Sequence, residues 1–293
     1  MLIDLAELGL ISISGIQSAE FLQGQFSCDI KEVTASQSRL GLHCNPKGRV
    51  LASFRLFYVD PKYYVLLPQS MVELLIRDLK KYAIFYKIEL QATTAFSYKI
   101  GISGDDMTQT LASYGCKIPL QDNAVYPDHA DSILFNIPSS PSRAILLSQK
   151  PIALSSDKKA FDYWQQLEIE SGLASIYPNV RALFTPHQLY YHQHQGISFT
   201  KGCYTGQEVI ARMHYLGQLK NKLYSVTIPH EHAPQAGHDI LDAEGQKQGV
   251  LVMTTATPIN HQKRYQGLAS IHNTAIGKML YLDQAPVCIV QAV

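Results

Sequence analysis

The chain has 293 residues, of which 46% are hydrophobic and 17% are charged, and its formal net charge is +1. This composition predicts a folded protein with room for two domains and excludes large-scale disorder. The near-neutral balance lacks the basic footprint of a general nucleic-acid-binding protein, so we expect no direct nucleic-acid binding.

The first 90 residues show the pattern of an α+β unit. Residues 10–14 alternate as a strand does, and Ser18 begins a short helix. Two strand-like runs, at 39–44 and 49–58, flank the turn Asn45-Pro46-Lys47-Gly48, which predicts a hairpin. A strand, a helix and another strand are predicted to follow at 63–67, 71–85 and 87–90.

The second half of the chain repeats this alternation and then changes. We predict strands at 98–102, 133–137 and 144–147, with helices at 107–114 and 159–170, the last of them ended by Gly172. From Leu223 onward, short alternating segments separated by turn residues predict a small all-β barrel. The predicted domains are residues 1–220 and 221–293. The sequence contains neither G-x-G-x-x-G nor G-x-S-x-G, so dinucleotide binding and serine-hydrolase chemistry have no support.

The chain has five cysteines, an odd number, and they form no C-x-x-C pair. They are Cys28, Cys44, Cys116, Cys203 and Cys288. This spacing supports neither a disulfide framework nor a local zinc or iron–sulfur motif, and it indicates a reducing compartment. The N-terminal residues lack the basic stretch of a secretory signal, and no apolar run approaches membrane-spanning length. We therefore predict a cytoplasmic protein without a membrane partner.

Cys203 stands in the octapeptide Lys201-Gly202-Cys203-Tyr204-Thr205-Gly206-Gln207-Glu208, directly ahead of a helical run. Thr205 and Glu208 have the spacing of a capping box, which predicts Thr205 as the N-cap. A thiol just before that cap would lie near unpaired N–H groups and near Lys201, surroundings that favour thiolate. The alternative is that Cys203 is a small buried filler in a tight turn.

Trp164, which is the chain's one tryptophan, and Glu170 belong to the helix that Gly172 ends. A carboxylate at a helix C-terminus is electrostatically disfavoured, so Glu170 needs solvent or a partner. A flat heterocycle with adjacent N–H donors would be such a partner. The alternative is that Trp164 is a core residue and that Glu170 is simply solvated.

Two H-x-H pairs would place both rings on one face of a strand, as metal sites require: His192 with His194, and His230 with His232. Neither pair has a cysteine or an acid at a recognisable ligand spacing. We predict no metal site.

Residues 196–208, Gly-Ile-Ser-Phe-Thr-Lys-Gly-Cys-Tyr-Thr-Gly-Gln-Glu, resemble the signature of the YgfZ family, folate-binding proteins related to the T-protein of glycine cleavage. The octapeptide is highly specific, and the resemblance covers nearly the whole of residues 8–222. Further pieces match in order: Phe21-Leu22-Gln23-Gly24-Gln25, Pro46-Lys47-Gly48, Phe54-Arg55-Leu56-Phe57, Leu79-Lys80-Lys81-Tyr82-Ala83 and Ile169-Glu170-Ser171-Gly172.

The resemblance implies a protein that binds tetrahydrofolate, or a derivative such as 5-formyl-tetrahydrofolate. It also implies a role in the synthesis or repair of iron–sulfur enzymes, including those that methylthiolate tRNA, with these client enzymes or assembly proteins as partners. The implied fold is that of the T-protein: two interlocked mixed α/β lobes of the α+β class, with a small C-terminal β-barrel.

The resemblance also implies roles for single residues. Cys203 falls on the signature cysteine, Trp164 on a tryptophan associated with folate, and Glu170 on the carboxylate that holds the pterin edge in T-proteins. On physical grounds we add Tyr204 as an aromatic surface and Arg212 as a cation for the folate glutamate tail. A second family tryptophan falls here at Gly9, and a family Phe-Ile-Pro-Gln stretch appears as residues 184–187, Phe-Thr-Pro-His.

Two other functions stay open. An aminomethyltransferase of the T-protein type needs a positioned carboxylate near the folate, yet no Asp or Glu occurs between Glu32 and Asp60, where the T-protein acid would lie. A non-enzymatic scaffold with a vestigial folate pocket is the second alternative. Whether Cys203 would handle iron, a cluster or an oxidising equivalent is not decided by the sequence.

Overall fold

The computed structural model describes residues 1–104, 107, 111–112, 121–128, 131–139, 142–152, 158–217, 219–256 and 263–293. Most of the helix predicted at 107–114 and Cys116 lie outside these residues. The chain divides into two compact units. Unit 1 comprises Met1–His43, Ala52–Phe161 and Gln195–Thr205; unit 2 comprises Cys44–Leu51, Asp162–His194 and Gly206–Val293.

The described helices of eight residues or more are α1 (Ser18–Gln25), α2 (Val72–Ala83), α3 (Lys158–Glu170) and α4 (Gln207–Leu216). Helix α3 ends as predicted, because Gly172 takes a positive φ of 65° and its N–H donates to the carbonyl of Ile169 at 3.0 Å. No helix within the described ranges is long and apolar enough to cross a membrane.

The described part of the first half of the chain contains ten strands that build two five-stranded sheets. The strands are β1 (Leu2–Asp4), β2 (Leu8–Ser14), β3 (Arg39–Cys44), β4 (Val50–Val59), β5 (Lys62–Pro68), β6 (Glu89–Ala92), β7 (Tyr98–Ser103), β8 (Val125–Asp128), β9 (Ser132–Ile137) and β10 (Arg143–Ser148). One sheet has the order β1-β7-β10-β9-β8 and the other β3-β4-β5-β2-β6. The short strands β1 and β8 have no counterpart in the sequence prediction.

Aromatic packing fills the core of unit 1. The ring of Phe57 on β4 lies 5.2 Å from that of Tyr64 on β5 and 4.7 Å from that of Phe135 on β9. Because Phe57 belongs to one sheet and Phe135 to the other, these contacts join the two sheets through burial of large apolar area.

The C-terminal part of unit 2 contains six strands: β11 (Asn221–Pro229), β12 (Asp239–Asp242), β13 (Lys247–Thr254), β14 (Arg264–His272), β15 (Leu280–Leu282) and β16 (Ala285–Ala292). They form a closed antiparallel barrel in the order β11-β14-β13-β12-β15-β16, which confirms the predicted all-β barrel. Its interior is aliphatic, with fully buried Val226, Leu251 and Ile271. The α+β class is likewise confirmed.

Candidate functional site

Residues 196–205, which we call the thiol loop, are tied to the segment that follows helix α1. The N–H of Ser198 donates to the carbonyl of Ser27 at 2.8 Å, and the Ser27 hydroxyl donates to the carbonyl of Gly196 at 2.6 Å. These bonds join positions about 170 residues apart in sequence, so the fold rather than local propensity fixes the start of the loop.

Lys201 anchors the middle of the thiol loop from inside. Its side chain is buried, and its Nζ donates to the carbonyls of Phe26 and Cys28 at 2.8 Å each. The same Nζ lies 5.0 Å from the ring centroid of Tyr204, in cation–π geometry. Burial lowers the pKa of Lys201 to about 8. The sequence predicted that the Lys201 ammonium would lie near the Cys203 thiol and favour thiolate. In the structure this ammonium is hydrogen-bonded to the carbonyls that anchor the loop.

Cys203 is exposed on this anchored loop, so the alternative of a buried filler is wrong. Cys28 and Cys44 are buried, and burial raises the pKa of both thiols, that of Cys28 to about 12. Because the thiolate is the reactive form, burial disfavours reaction at both of these thiols. Among the described cysteines, Cys203 and Cys288 are accessible to a reagent or a partner.

The predicted cap of Thr205 on helix α4 is wrong. The residue before the helix is Gly206, in the left-handed conformation with φ 85°, and it provides no side-chain cap. Thr205 instead closes the thiol loop, because its N–H donates to the carbonyl of Gly24 at 3.1 Å and its hydroxyl lies 3.5 Å from the same oxygen. The left-handed glycine moves the helix start by one residue and directs Thr205 away from it.

Gly206 and the hairpin turn 45–48 are in contact, so two pieces of sequence that looked independent meet in space. A Cβ at Gly206 would lie 2.6 Å from the carbonyl oxygen of Asn45, and a Cβ at Gly48 would lie 3.0 Å from the side chain of Val209 on α4. Gly48 also has a positive φ, of 69°. Both positions therefore require glycine.

Gly202 differs from both, since an added Cβ would meet nothing within 4 Å and its φ lies outside the left-handed region. Packing among the described residues does not require glycine there. Its effect is to leave the main chain beside Cys203 open to close approach by another molecule.

Helix α3 carries Trp164 and Glu170 in opposite environments. Trp164 is 1% exposed and belongs to the core, whereas Glu170 is exposed at the last helical position and accepts a 2.8 Å hydrogen bond from Nε2 of Gln166. The carboxylate therefore retains acceptor capacity toward paired N–H donors. The indole stabilises the helix from inside, and its ring is not on an open face.

The two residues added on physical grounds also differ. Tyr204 is buried beneath Lys201, so its ring belongs to the interior of the thiol loop. Arg212 is exposed on α4, beside a cavity of about 360 Å³. Cys203 and Tyr204 belong to unit 1, and Trp164, Glu170 and Arg212 to unit 2.

Gly9, the position that the resemblance aligns with a second tryptophan of some family members, is closed in this chain. It lies on β2, and a Cβ there would meet the side chain of Val72 and, at 2.6 Å, Oε1 of Gln69. The space beyond Gly9 is therefore filled by the start of helix α2, and an aromatic ring does not fit without displacing it.

A cluster of three histidines was missed by sequence reasoning. His187 is 2% exposed, and its ring centroid lies 5.0 Å from that of His192 and 5.8 Å from that of His214. Burial, together with these two neighbours, lowers the pKa of His187 to about 4. No spacing signal links positions 187, 192 and 214, so only the folded chain reveals the cluster.

In each H-x-H pair, one histidine ring is hydrogen-bonded to a backbone carbonyl. The His194 ring bonds the carbonyl of Gly172 at 3.1 Å, and Nδ1 of His230 bonds the carbonyl of His232 at 2.8 Å. In the part of the chain that the structure describes, no group of three or more His, Cys, Asp or Glu side chains is arranged to hold a metal ion.

Comparison with known proteins finds relatives over most of the chain. It is 30% identical over 248 residues to the tRNA-modifying protein YgfZ of Colwellia psychrerythraea, covering 83% of this chain and 76% of that protein. It is 32% identical over 260 residues to the protein of the same name from Hamiltonella defensa, covering 85% and 77%. No family model matches the chain.

Among solved structures, the chain is similar to the aminomethyltransferase T of the glycine cleavage system from Bartonella henselae. The TM-score is 0.71 at 15% sequence identity, over 100% of this chain and 85% of that one. At this identity the likeness establishes a shared fold, the T-protein fold.

Proposed function

This chain belongs to the YgfZ family, and we propose that it is a cytoplasmic tetrahydrofolate-binding protein that supports the synthesis or repair of iron–sulfur enzymes, including those that modify tRNA, through the thiol of Cys203. The relatives carry the name of tRNA-modifying proteins, and the fold is shared with an aminomethyltransferase of the glycine cleavage system. Both findings are consistent with this assignment.

The observation that carries the proposal is the contrast between the exposed thiol of Cys203 and the buried anchors of its loop. Lys201 and Tyr204 are buried, and the loop's ends are bonded to the segment around Ser27 and to Gly24. A reactive group on a fixed backbone reaches its target without first paying the entropy of ordering a loop. Gly202 leaves one side of the thiol open.

Some of the residues expected to contact tetrahydrofolate are placed where they could bind it, and others are not. Glu170 offers an exposed carboxylate to the paired N–H donors of a pterin, and Arg212 offers an exposed cation to a carboxylate tail. Trp164 contributes by holding helix α3, and Gly9 provides no stacking surface. When bound, tetrahydrofolate supplies a reduced pterin able to carry a one-carbon group or to give up electrons.

In this proposal Cys203 loses its proton to water, and the thiolate sulfur donates an electron pair to iron that the client protein presents as substrate, displacing a water ligand that leaves to solvent. A thiolate is the protein ligand that iron–sulfur clusters use most. The dispersed cysteines of this chain make it a transient acceptor and not a resident cluster carrier.

Complementation tests the function and the residue together. A strain lacking its own family member would receive the wild-type chain, Cys203→Ser or Cys288→Ser, and tRNA methylthiolation would be measured by mass spectrometry of digested tRNA. Cys288 is the matched control because it is also exposed. We expect restoration by the wild type and by Cys288→Ser, and none by Cys203→Ser.

Equal restoration by Cys203→Ser would overturn the role of the thiol. Folate binding is tested separately by calorimetry with tetrahydrofolate and 5-formyl-tetrahydrofolate, and the absence of heat at near-millimolar ligand would overturn that part of the proposal.

A further inference from the structure

Helix α4 has an apolar face that the described residues leave largely exposed. Ile210 is the one buried residue of this helix, whereas Leu216 is 82% exposed and Val209 is also exposed. Val209, Met213 and Leu216 follow one another at spacings of four and three, so their side chains lie on one side of the helix. With Arg212 these residues form what we call the α4 face.

The α4 face is concave. A cavity of about 360 Å³ is lined there by Glu208, Val209, Arg212, Met213, Leu216 and Gly217. This volume accommodates a bulky apolar side chain from another molecule, and exposed aliphatic groups around such a depression are typical of a protein interaction site.

The charges around the α4 face favour an acidic partner. Arg212 is exposed and lines the cavity, so its guanidinium contributes one cation to the face. Lys47 is exposed in the hairpin turn that packs against Val209 through Gly48, and it adds a second cation. Glu208 is the single acid lining the cavity. An apolar side chain flanked by carboxylates would satisfy both the cavity and the cations.

A protein fits this surface better than RNA does. The aliphatic side chains that line the cavity, Val209, Met213 and Leu216, offer bases no flat surface to stack on and no hydrogen bonds, and the exposed ring of Tyr215 on the same helix lies outside that lining. RNA-binding faces combine several aromatic platforms with several cations. Two cations around an aliphatic cavity match the apolar core and polar rim of a protein interface.

Resting on the proposed function, we propose that the α4 face docks the client iron–sulfur enzyme through an acidic segment that carries a bulky apolar residue. Chain continuity supports this choice of partner. Helix α4 begins four residues after Cys203, and four residues span at most about 14 Å. A client that binds α4 therefore binds a segment that directly follows the thiol loop in the chain.

The test uses the full chain and, as the probe, the purified tRNA-methylthiolating iron–sulfur enzyme of the same organism. Leu216→Ser removes the most exposed apolar group of the face, and Ile84→Ser is the matched control, because Ile84 is 78% exposed on unit 1. We expect Leu216→Ser to weaken binding of the enzyme about tenfold or more, with Ile84→Ser unchanged. Higher salt should weaken wild-type binding, since the rim is charged.

A second readout separates docking from chemistry. In the complementation strain, Leu216→Ser should lower tRNA methylthiolation at native expression and regain it on overexpression, because mass action offsets weak binding. Cys203→Ser should not be rescued by overexpression. Rescue of Cys203→Ser would count against the proposed function and leave the docking result standing.

Three results would overturn the docking proposal. The first is that the wild type does not bind the enzyme, or that Leu216→Ser binds it as strongly as the wild type does. The second is a homodimer, measured by analytical ultracentrifugation, that Leu216→Ser dissolves, which would make the face a self-interface. The third is binding of purified tRNA that Leu216→Ser abolishes, which would make it an RNA surface.

Discussion

The Nζ atom of Lys201 donates a 2.8 Å hydrogen bond to the backbone carbonyl of Cys28, which lies 173 residues earlier in the chain. Lys201→Met keeps the length of the side chain and removes this donor, leaving two buried carbonyls with one partner fewer. We expect the free energy of unfolding, measured in urea, to fall by about 1–3 kcal/mol. Lys220→Met, at an exposed lysine, is the control and should change nothing measurable. Identical urea midpoints for the two variants would contradict the anchoring role.

Two glycines of the same octapeptide should respond oppositely to alanine. Gly206→Ala puts a Cβ 2.6 Å from the carbonyl oxygen of Asn45 at a positive φ, so we expect a loss of about 2 kcal/mol or more in unfolding free energy. Gly202→Ala meets open space and should keep wild-type stability. Thermal and urea unfolding of both variants measure this difference. A stable Gly206→Ala protein would show that the contact with the hairpin turn is not required.

Some of this architecture was readable from sequence, because the relevant forces are local. The end of helix α3 followed from a glycine that must take a positive φ, and the barrel followed from alternation and turn residues. The predicted N-cap at Thr205 was wrong because the capping-box spacing takes no account of the left-handed conformation of Gly206. The buried position of Lys201 could not be predicted from sequence, because its partners Phe26 and Cys28 come from a distant segment of the chain.

The four described cysteines should divide into two classes toward iodoacetamide. In a Cys116→Ser background, the folded protein should be alkylated at Cys203 and Cys288, which are exposed, and urea should open Cys28 and Cys44. Peptide mass spectrometry after a timed reaction identifies each site. Protection of Cys203 in the folded protein would remove the basis for its role as an active thiol, whereas early labelling of Cys28 would show that the thiol loop opens.

The histidine cluster should make stability depend on pH. The folded-state pKa of His187 is about 4 against an ordinary value of 6.5, so between these values the unfolded chain binds more protons than the folded one. The neutral form of His187 therefore adds to the free energy of unfolding above pH 6.5, and this addition is lost as the pH falls toward 4. His187→Leu removes it.

We expect the wild type to lose on the order of 2 kcal/mol more than His187→Leu between pH 7 and pH 5, measured by urea unfolding at each pH. His192 also has a lowered pKa, and it remains in both proteins, so the difference between them isolates His187. If the wild type and His187→Leu lose the same unfolding free energy between pH 7 and pH 5, protonation of His187 does not destabilise the fold.

Glu170 should matter for folate and not for folding. Its carboxylate is exposed at the end of α3, so Glu170→Gln should leave the unfolding free energy unchanged. The neutral amide keeps the shape but loses one of two charged acceptors for paired N–H donors, and hydrogen bonds to charged groups contribute about 1.5–3 kcal/mol. We therefore expect calorimetry to show tetrahydrofolate binding weakened roughly tenfold to a hundredfold. Glu244→Gln, at an exposed acid of the barrel, controls for the loss of one negative charge. If both variants bind as the wild type does, Glu170 does not hold the pterin, and the folate contacts must be sought on another surface of the chain.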